Sequence, residues 1–173
     1  SVELWQREQT ASLENRQGGL KLVVVACNTV SAVALPMLRA LSPVPVVGVI
    51  RPAAQTALEA SAKQAIGVIG TEGTIRSRAY QRTLEELNPG ADIVTQACPL
   101  LVPLVEEGWF EHPVTKLTLQ TYFSSFAPPM FDTLILGCTH YPLLREELQK
   151  VLGAGCSLVD SADSTAREVK KLL

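Results

Sequence analysis

Little in this chain points to a large charged or apolar partner. A formal net charge of −2 and a pI near 5.7 leave no basic footprint for nucleic acid. No apolar run approaches the roughly 18 residues that a membrane span needs. The four cysteines, Cys27, Cys98, Cys138 and Cys156, match neither a zinc spacing nor a small secreted disulfide framework, which indicates a reduced, cytosolic setting. Histidine is scarce, with only His112 and His140. There is no long linker, no low-complexity tract, no initiator Met and no signal peptide. Val2, Trp5, Ala11 and Leu13 make a loose helical stripe ahead of Gly18-Gly19, as if the chain were entered partway along a helix.

What is present is a globular composition. The 173 residues, 47% hydrophobic and 18% charged, suffice for one domain or two small ones with a buried core. Strand and helix signals alternate. Leu22 to Ala26 is a continuous apolar, β-branched run, as in a strand buried on both faces. A helix is expected from Ser31 to Leu41, kinked or restarted at Pro36. A strand over 45–50 should be broken by Arg51-Pro52, with a helix over 53–62. Ala65 to Ile69 reads as a strand ending at Gly70. Thr74 is the expected N-cap of a helix over 75–87, which Asn88-Pro89-Gly90 stops. Strands are expected over 92–97, 133–136 and 157–159. Helices are expected over 101–107 with Gly108 as C-cap, over 114–126, from Pro142 to Leu152, and from Ala162 to Leu173. The alternation predicts an α/β fold, a mostly parallel sheet flanked by helices.

One phrase occurs twice. Residues 21–32 read KLVVVACNTVSA and residues 132–143 read DTLILGCTHYPL. Each is an apolar run, a small residue (Ala26 or Gly137), a cysteine, polar residues, then helix-compatible sequence. Cys27 and Cys138 thus occupy equivalent places. In open parallel sheets, ligands sit beyond the carboxyl ends of the strands. Helix N-termini there offer free N–H groups and partial positive charge, which suit a bound carboxylate and favour thiolate. Two thiols at equivalent strand ends suggest one site with a sulfur on each side, the arrangement needed to move a proton between the faces of a carbon. A cysteine after a strand is more commonly a buried small hydrophobe, and only the duplication argues otherwise. Cys98 and Cys156 lack the polar sequel and are read as structural.

Asn28, Thr29, Thr139 and His140 could hydrogen-bond an amino-acid-sized ligand. His140 lies two residues from Cys138 and could hold a thiolate or act as an acid; His112 reads as a surface-loop residue. Glu106 and Glu107 are by default a solvated helix end, although one of them could polarise the site. GVIGTEGT, over 67–74, lacks both common phosphate-loop patterns, but as a turn it could bring the hydroxyls of Thr71 and Thr74 to a small ligand.

ACNT at 26–29 and GCTHYP at 137–142 resemble the two signature segments of glutamate racemases, within the aspartate/glutamate racemase family. GVIGTEGTI at 67–75 and CPLLVPLVEEGW at 98–109 resemble further family segments in the same order. Related aspartate and hydantoin racemases share the two-cysteine plan; His-Tyr-Pro after Cys-Thr favours the glutamate enzyme. The resemblance implies cofactor-independent racemisation, with neither pyridoxal phosphate nor metal. It makes Cys138 the base toward L-glutamate and Cys27 the base toward D-glutamate; His140 and Glu106, read from the residues above, complete the candidate catalytic set. It also implies a glutamate-sized substrate, D-glutamate supplied for peptidoglycan, and a homodimer as the usual assembly.

The resemblance further implies two pseudo-symmetric lobes, with residues 1–50 plus 160–173 in the first and 51–159 in the second. Family members begin with a strand carrying Asp-Ser-Gly, whose Asp assists the first cysteine, and then have a Pro-Tyr-Gly segment. Neither motif occurs here. The chain is therefore expected to be a racemase with an incomplete first lobe and impaired activity. Two other readings stay open: a Cys138–His140 acyl-transfer or hydrolase site, and a non-catalytic remnant that binds an amino acid or a partner.

Overall fold

The computed structural model describes residues 19–173. The expected helical stripe of Val2, Trp5, Ala11 and Leu13 lies outside the described residues. Two parallel sheets form. In the smaller, β1 (Val23–Val25) pairs with β2 (Val46–Gly48). They are joined by helix α1 (Asn28–Leu41). The larger sheet has the order β4-β3-β5-β6, built from β3 (Ala65–Gly70), β4 (Asp92–Ala97), β5 (Thr133–Gly137) and β6 (Ser157–Asp160).

The central strands β3 and β5 are buried on both faces, so their apolar runs need no alternation. The pleat still divides the core. Ile69, Leu134 and Leu136 point to one side and pack with Leu101, Leu119, Phe123, Tyr141 and Leu148. Those partners come from helices α5 (Leu101–Glu106), α6 (Pro113–Phe123) and α7 (Arg145–Leu152), and from a 3-10 turn at Tyr141–Leu144. Ile66, Val68 and Ile135 point to the other side, onto Ala53, Ala54, Ala57, Tyr80 and Leu84. Those belong to helices α2 (Ile50–Ala60) and α4 (Ala79–Leu87). The last helix, α8 (Ser161–Leu172), packs along α2 and touches strands of both sheets.

At four places the chain departs from local expectation. Helix α1 passes through Pro36 without restarting. The turns on both sides are tied down, by the Ser31 hydroxyl on the Val25 carbonyl and Arg39 Nε on the Val46 carbonyl, which offsets the one bond that proline cannot make. Arg51-Pro52 does not break the chain but lies in the first turn of α2, where a missing N–H costs nothing. Thr71, not Thr74, caps the next helix: its hydroxyl accepts from the Thr74 N–H at 3.2 Å. That segment is two helices, α3 (Glu72–Ser77) and α4, divided at Arg78 with φ +56. Pro142 opens the 3-10 turn, and α-helix begins only at Arg145. The expected stop after α5 is present, with Gly108 at φ +72.

Candidate active site

The larger sheet reverses its winding between β3 and β5: β4 lies on one side of β3, while β5 and β6 lie on the other. Such a switch opens a crevice at the carboxyl ends of the two strands. Gly70 and Gly137 are register partners there, so Thr71 and Cys138 emerge side by side. Gly137 has a specific reason to be glycine. A Cβ at this position would stand 2.5 Å from the Ile69 carbonyl oxygen and 3.2 Å from Tyr80 Cε2, so β5 delivers Cys138 at a close approach to β3 that a side chain would prevent.

Cys27 follows β1 and is the N-cap of the 14-residue helix α1. Its carbonyl accepts from the Ser31 N–H at 2.8 Å, and its side chain makes no capping bond. The thiol is exposed at the positive end of a helix, where negative charge is favoured. Cys138 is only 7% exposed. Burial pushes its thiol above the ordinary value; the nearby Cys27 pushes the same way, while bonds to the His140 and Thr139 backbone N–H groups and the Thr139 hydroxyl pull it down. The segments themselves meet: Thr29, two residues after Cys27, contacts Thr71, which emerges beside Cys138. All four cysteines are free.

His140 Nδ1 lies 3.7 Å from Cys138 Sγ, and its Nε2 lies 3.4 Å from Glu106 Oε1. His140 thus stands between Glu106 and Cys138, with one ring nitrogen facing each. Glu107 takes no part; it ends helix α5 and is exposed.

The three predicted threonines of the first half of the chain meet. Thr29 Oγ1 lies 2.9 Å from Thr71 Oγ1 and 3.1 Å from Thr74 Oγ1, and Thr71 lies 3.1 Å from Thr74. This hydroxyl triangle ties the start of α1 to the loop after β3. Thr139 is exposed and borders a cavity of about 360 Å³ whose walls also include Val24, Ala26, Ser161 and Val169. That cavity adjoins both cysteine segments, since Ala26 precedes Cys27 and Thr139 follows Cys138.

Asn28 is placed differently from a free ligand-binding amide. It is buried; its Oδ1 accepts from the Tyr80 hydroxyl at 2.6 Å and its Nδ2 donates to Ser161 Oγ at 3.2 Å. One Nδ2 proton remains. Tyr80 and Ser161 were not legible as site residues, because a tyrosine inside an amphipathic helix reads as core. The only available signal is that a buried phenol needs a partner. The residues read as structural behave so. Cys98 and Cys156 are buried, and desolvation pushes their thiols up to about 12 and about 11. His112 Nδ1 accepts from the Val114 N–H as the cap of α6, and its ring stacks on Trp109. Among the described residues no group of three His, Cys, Asp or Glu side chains could hold a metal ion, and no helix is long and apolar enough to cross a membrane.

Comparison with known proteins decides the family. The Asp/Glu/Hydantoin racemase family model matches residues 6–169. The chain belongs to that family. Its curated relatives include the glutamate racemase of Geobacter metallireducens, 51% identical over 154 residues, which are 89% of this chain and 57% of that protein. The crystal structure of a Bacillus anthracis glutamate racemase superposes with a TM-score of 0.86 at 38% identity, covering 100% of this chain and 65% of that one. A Francisella tularensis glutamate racemase solved in complex with D-glutamate gives 0.82 at 30% identity, covering 100% and 65%. The racemase-family chain thus spans about three fifths of the length of the relatives it matches. The α/β architecture of parallel sheets flanked by helices is the one these racemases have.

Proposed function

We propose that this chain carries the two-base site of a cofactor-independent glutamate racemase. One observation carries the reading: two free cysteines, each beyond the carboxyl end of a parallel strand in a different sheet, lie on segments joined by the Thr29–Thr71 contact at 2.9 Å, Thr71 emerging beside Cys138. A single nucleophile would not need the second thiol.

In this reading the Cys138 thiolate takes the α-proton of L-glutamate, and the Cys27 thiol gives a proton to the opposite face. D-glutamate leaves, with Cys27 now thiolate and Cys138 thiol, and the reverse reaction starts from that state. His140, held by Glu106, stabilises whichever form Cys138 takes. Thr29, Thr71, Thr74, Thr139 and the remaining Nδ2 proton of Asn28 hydrogen-bond the substrate's carboxylates and ammonium surroundings, where preorganised donors lower the cost of the carbanion-like state. Glutamate as substrate is supported by the relatives' activity and by the D-glutamate complex. Supply of D-glutamate for peptidoglycan, a cytoplasmic location, assembly as a homodimer, and lobes of 1–50 plus 160–173 and of 51–159 belong to the same proposal.

The test is deuterium incorporation from solvent into L- and D-glutamate by the purified 173-residue chain. Exchange into both enantiomers, even at a reduced rate, is expected; exchange into neither, with amino-acid binding intact, favours a binding protein instead. The Cys138–His140 contact at 3.7 Å also supports a nucleophile–base pair for acyl transfer. A covalent acyl adduct on Cys138 seen by mass spectrometry would favour that second reading.

A further inference from the structure

The two cysteines belong to different sheets, so something must set the gap between them. One buried side chain reaches the segment of each. Tyr80, on α4, is 1% exposed. Its ring edge lies beside Gly137, the residue before Cys138, where an added Cβ would stand 3.2 Å from Tyr80 Cε2. Its hydroxyl donates to Asn28 Oδ1 at 2.6 Å, and Asn28 is the residue after Cys27. Asn28 is fixed in turn by its bond to Ser161 at the start of α8. A phenol is a stiff strut: its ring is planar, it has two side-chain torsions, and burial here leaves neither free.

We propose that Tyr80 is a positioning residue that sets the separation of Cys27 from Cys138, its ring bearing on the Gly137 backbone and its hydroxyl holding the first residue of α1 through Asn28. The inference rests on the reading that the two cysteines share one site. It goes further in assigning the spacing to one side chain that touches neither sulfur. Ser161 completes the device, because without it the Asn28 amide could swing about the Tyr80 bond.

Bifunctional methanethiosulfonate reagents of graded span test this on the whole chain. Peptide mapping identifies the linked pair, and the yield of the Cys27–Cys138 link is plotted against span. The parent should show a sharp optimum at one span. Tyr80→Phe keeps the ring and loses the hydroxyl, and should broaden the optimum so that the next shorter and longer reagents link at least threefold better relative to the best one. Ser161→Ala, at the far end of the network, should broaden it in the same direction and serves if Tyr80→Phe folds poorly. Leu84→Ala, a core truncation on the same helix, should lower the thermal midpoint and leave the optimum sharp. An optimum unchanged in both Tyr80→Phe and Ser161→Ala, or broadened equally by Leu84→Ala, overturns the role of Tyr80 while leaving the shared site standing. Absence of any Cys27–Cys138 link in the parent overturns the shared site and the role of Tyr80 with it.

Discussion

The two cysteine segments read alike and are built differently. Cys27 follows a three-residue strand in a two-stranded sheet, is exposed, and caps a long helix. Cys138 follows a central strand of a four-stranded sheet, is buried, and precedes only a 3-10 turn. Cys27 lies open to water at the α1 N-terminus. Burial opposes negative charge at Cys138, and the compensation comes from the His140 and Thr139 backbone N–H groups and the Thr139 hydroxyl. A repeated motif thus places two equivalent atoms, while the surrounding layers decide the environment of each.

The largest expected effect comes from breaking the pair. Cys138→Ser should remove exchange from L-glutamate and Cys27→Ser exchange from D-glutamate, each by about 10²–10⁴-fold, the usual contribution of a positioned base. Both variants should lose net racemisation. Racemisation that survives in either single variant would show that the two thiols are not partners in one reaction.

A smaller effect should separate the residues that precede the cysteines. Gly137→Ala forces a Cβ onto the Ile69 carbonyl and should cost about 1–3 kcal/mol of stability, as overpacking does. Ala26→Gly, at the equivalent and exposed place, should cost less than about 1 kcal/mol. Chemical denaturation measures both, and equal losses would mean that the two strand ends are packed alike after all.

The smallest effect concerns Glu106. The Glu106 carboxylate is 62% exposed, and pairs this open are worth about 0–1 kcal/mol. Glu106→Gln should therefore slow exchange from L-glutamate by only about two- to fivefold, with exchange from D-glutamate nearly unchanged, because His140 touches Cys138. Isotope exchange on each enantiomer separately tests this, and an equal slowing on both would assign Glu106 to substrate binding instead.

Much of this was legible in the residues. The apolar runs of β3 and β5, the glycines that end helices and the duplicated strand–cysteine phrase depend on local chemistry, and the structure places them as expected. Among the named site residues, Cys138, His140 and Glu106 come together, as do Thr29, Thr71 and Thr74. The Thr74 cap was misplaced by one turn because Thr71 and Thr74 are equally good caps by type, and the helix begins directly after Thr71. The helix over Pro36 was expected, but not that it would continue without restarting, because the support of its flanking turns comes from the Val25 and Val46 carbonyls, which no local pattern connects to it.

What the sequence determined by itself is the set of elements and the two thiols of the repeated phrase. Strand and helix formation follow from periodicity and turn chemistry within a few residues, and a thiol is visible wherever it lies. Only the tertiary structure decided which thiol is buried, and that Asn28 is gripped by Tyr80 from 52 positions away and by Ser161 from 133. Burial and long-range hydrogen bonds depend on how the two sheets and the C-terminal helix meet. That is set by the packing of whole faces, and no neighbourhood of residues along the chain encodes it alone.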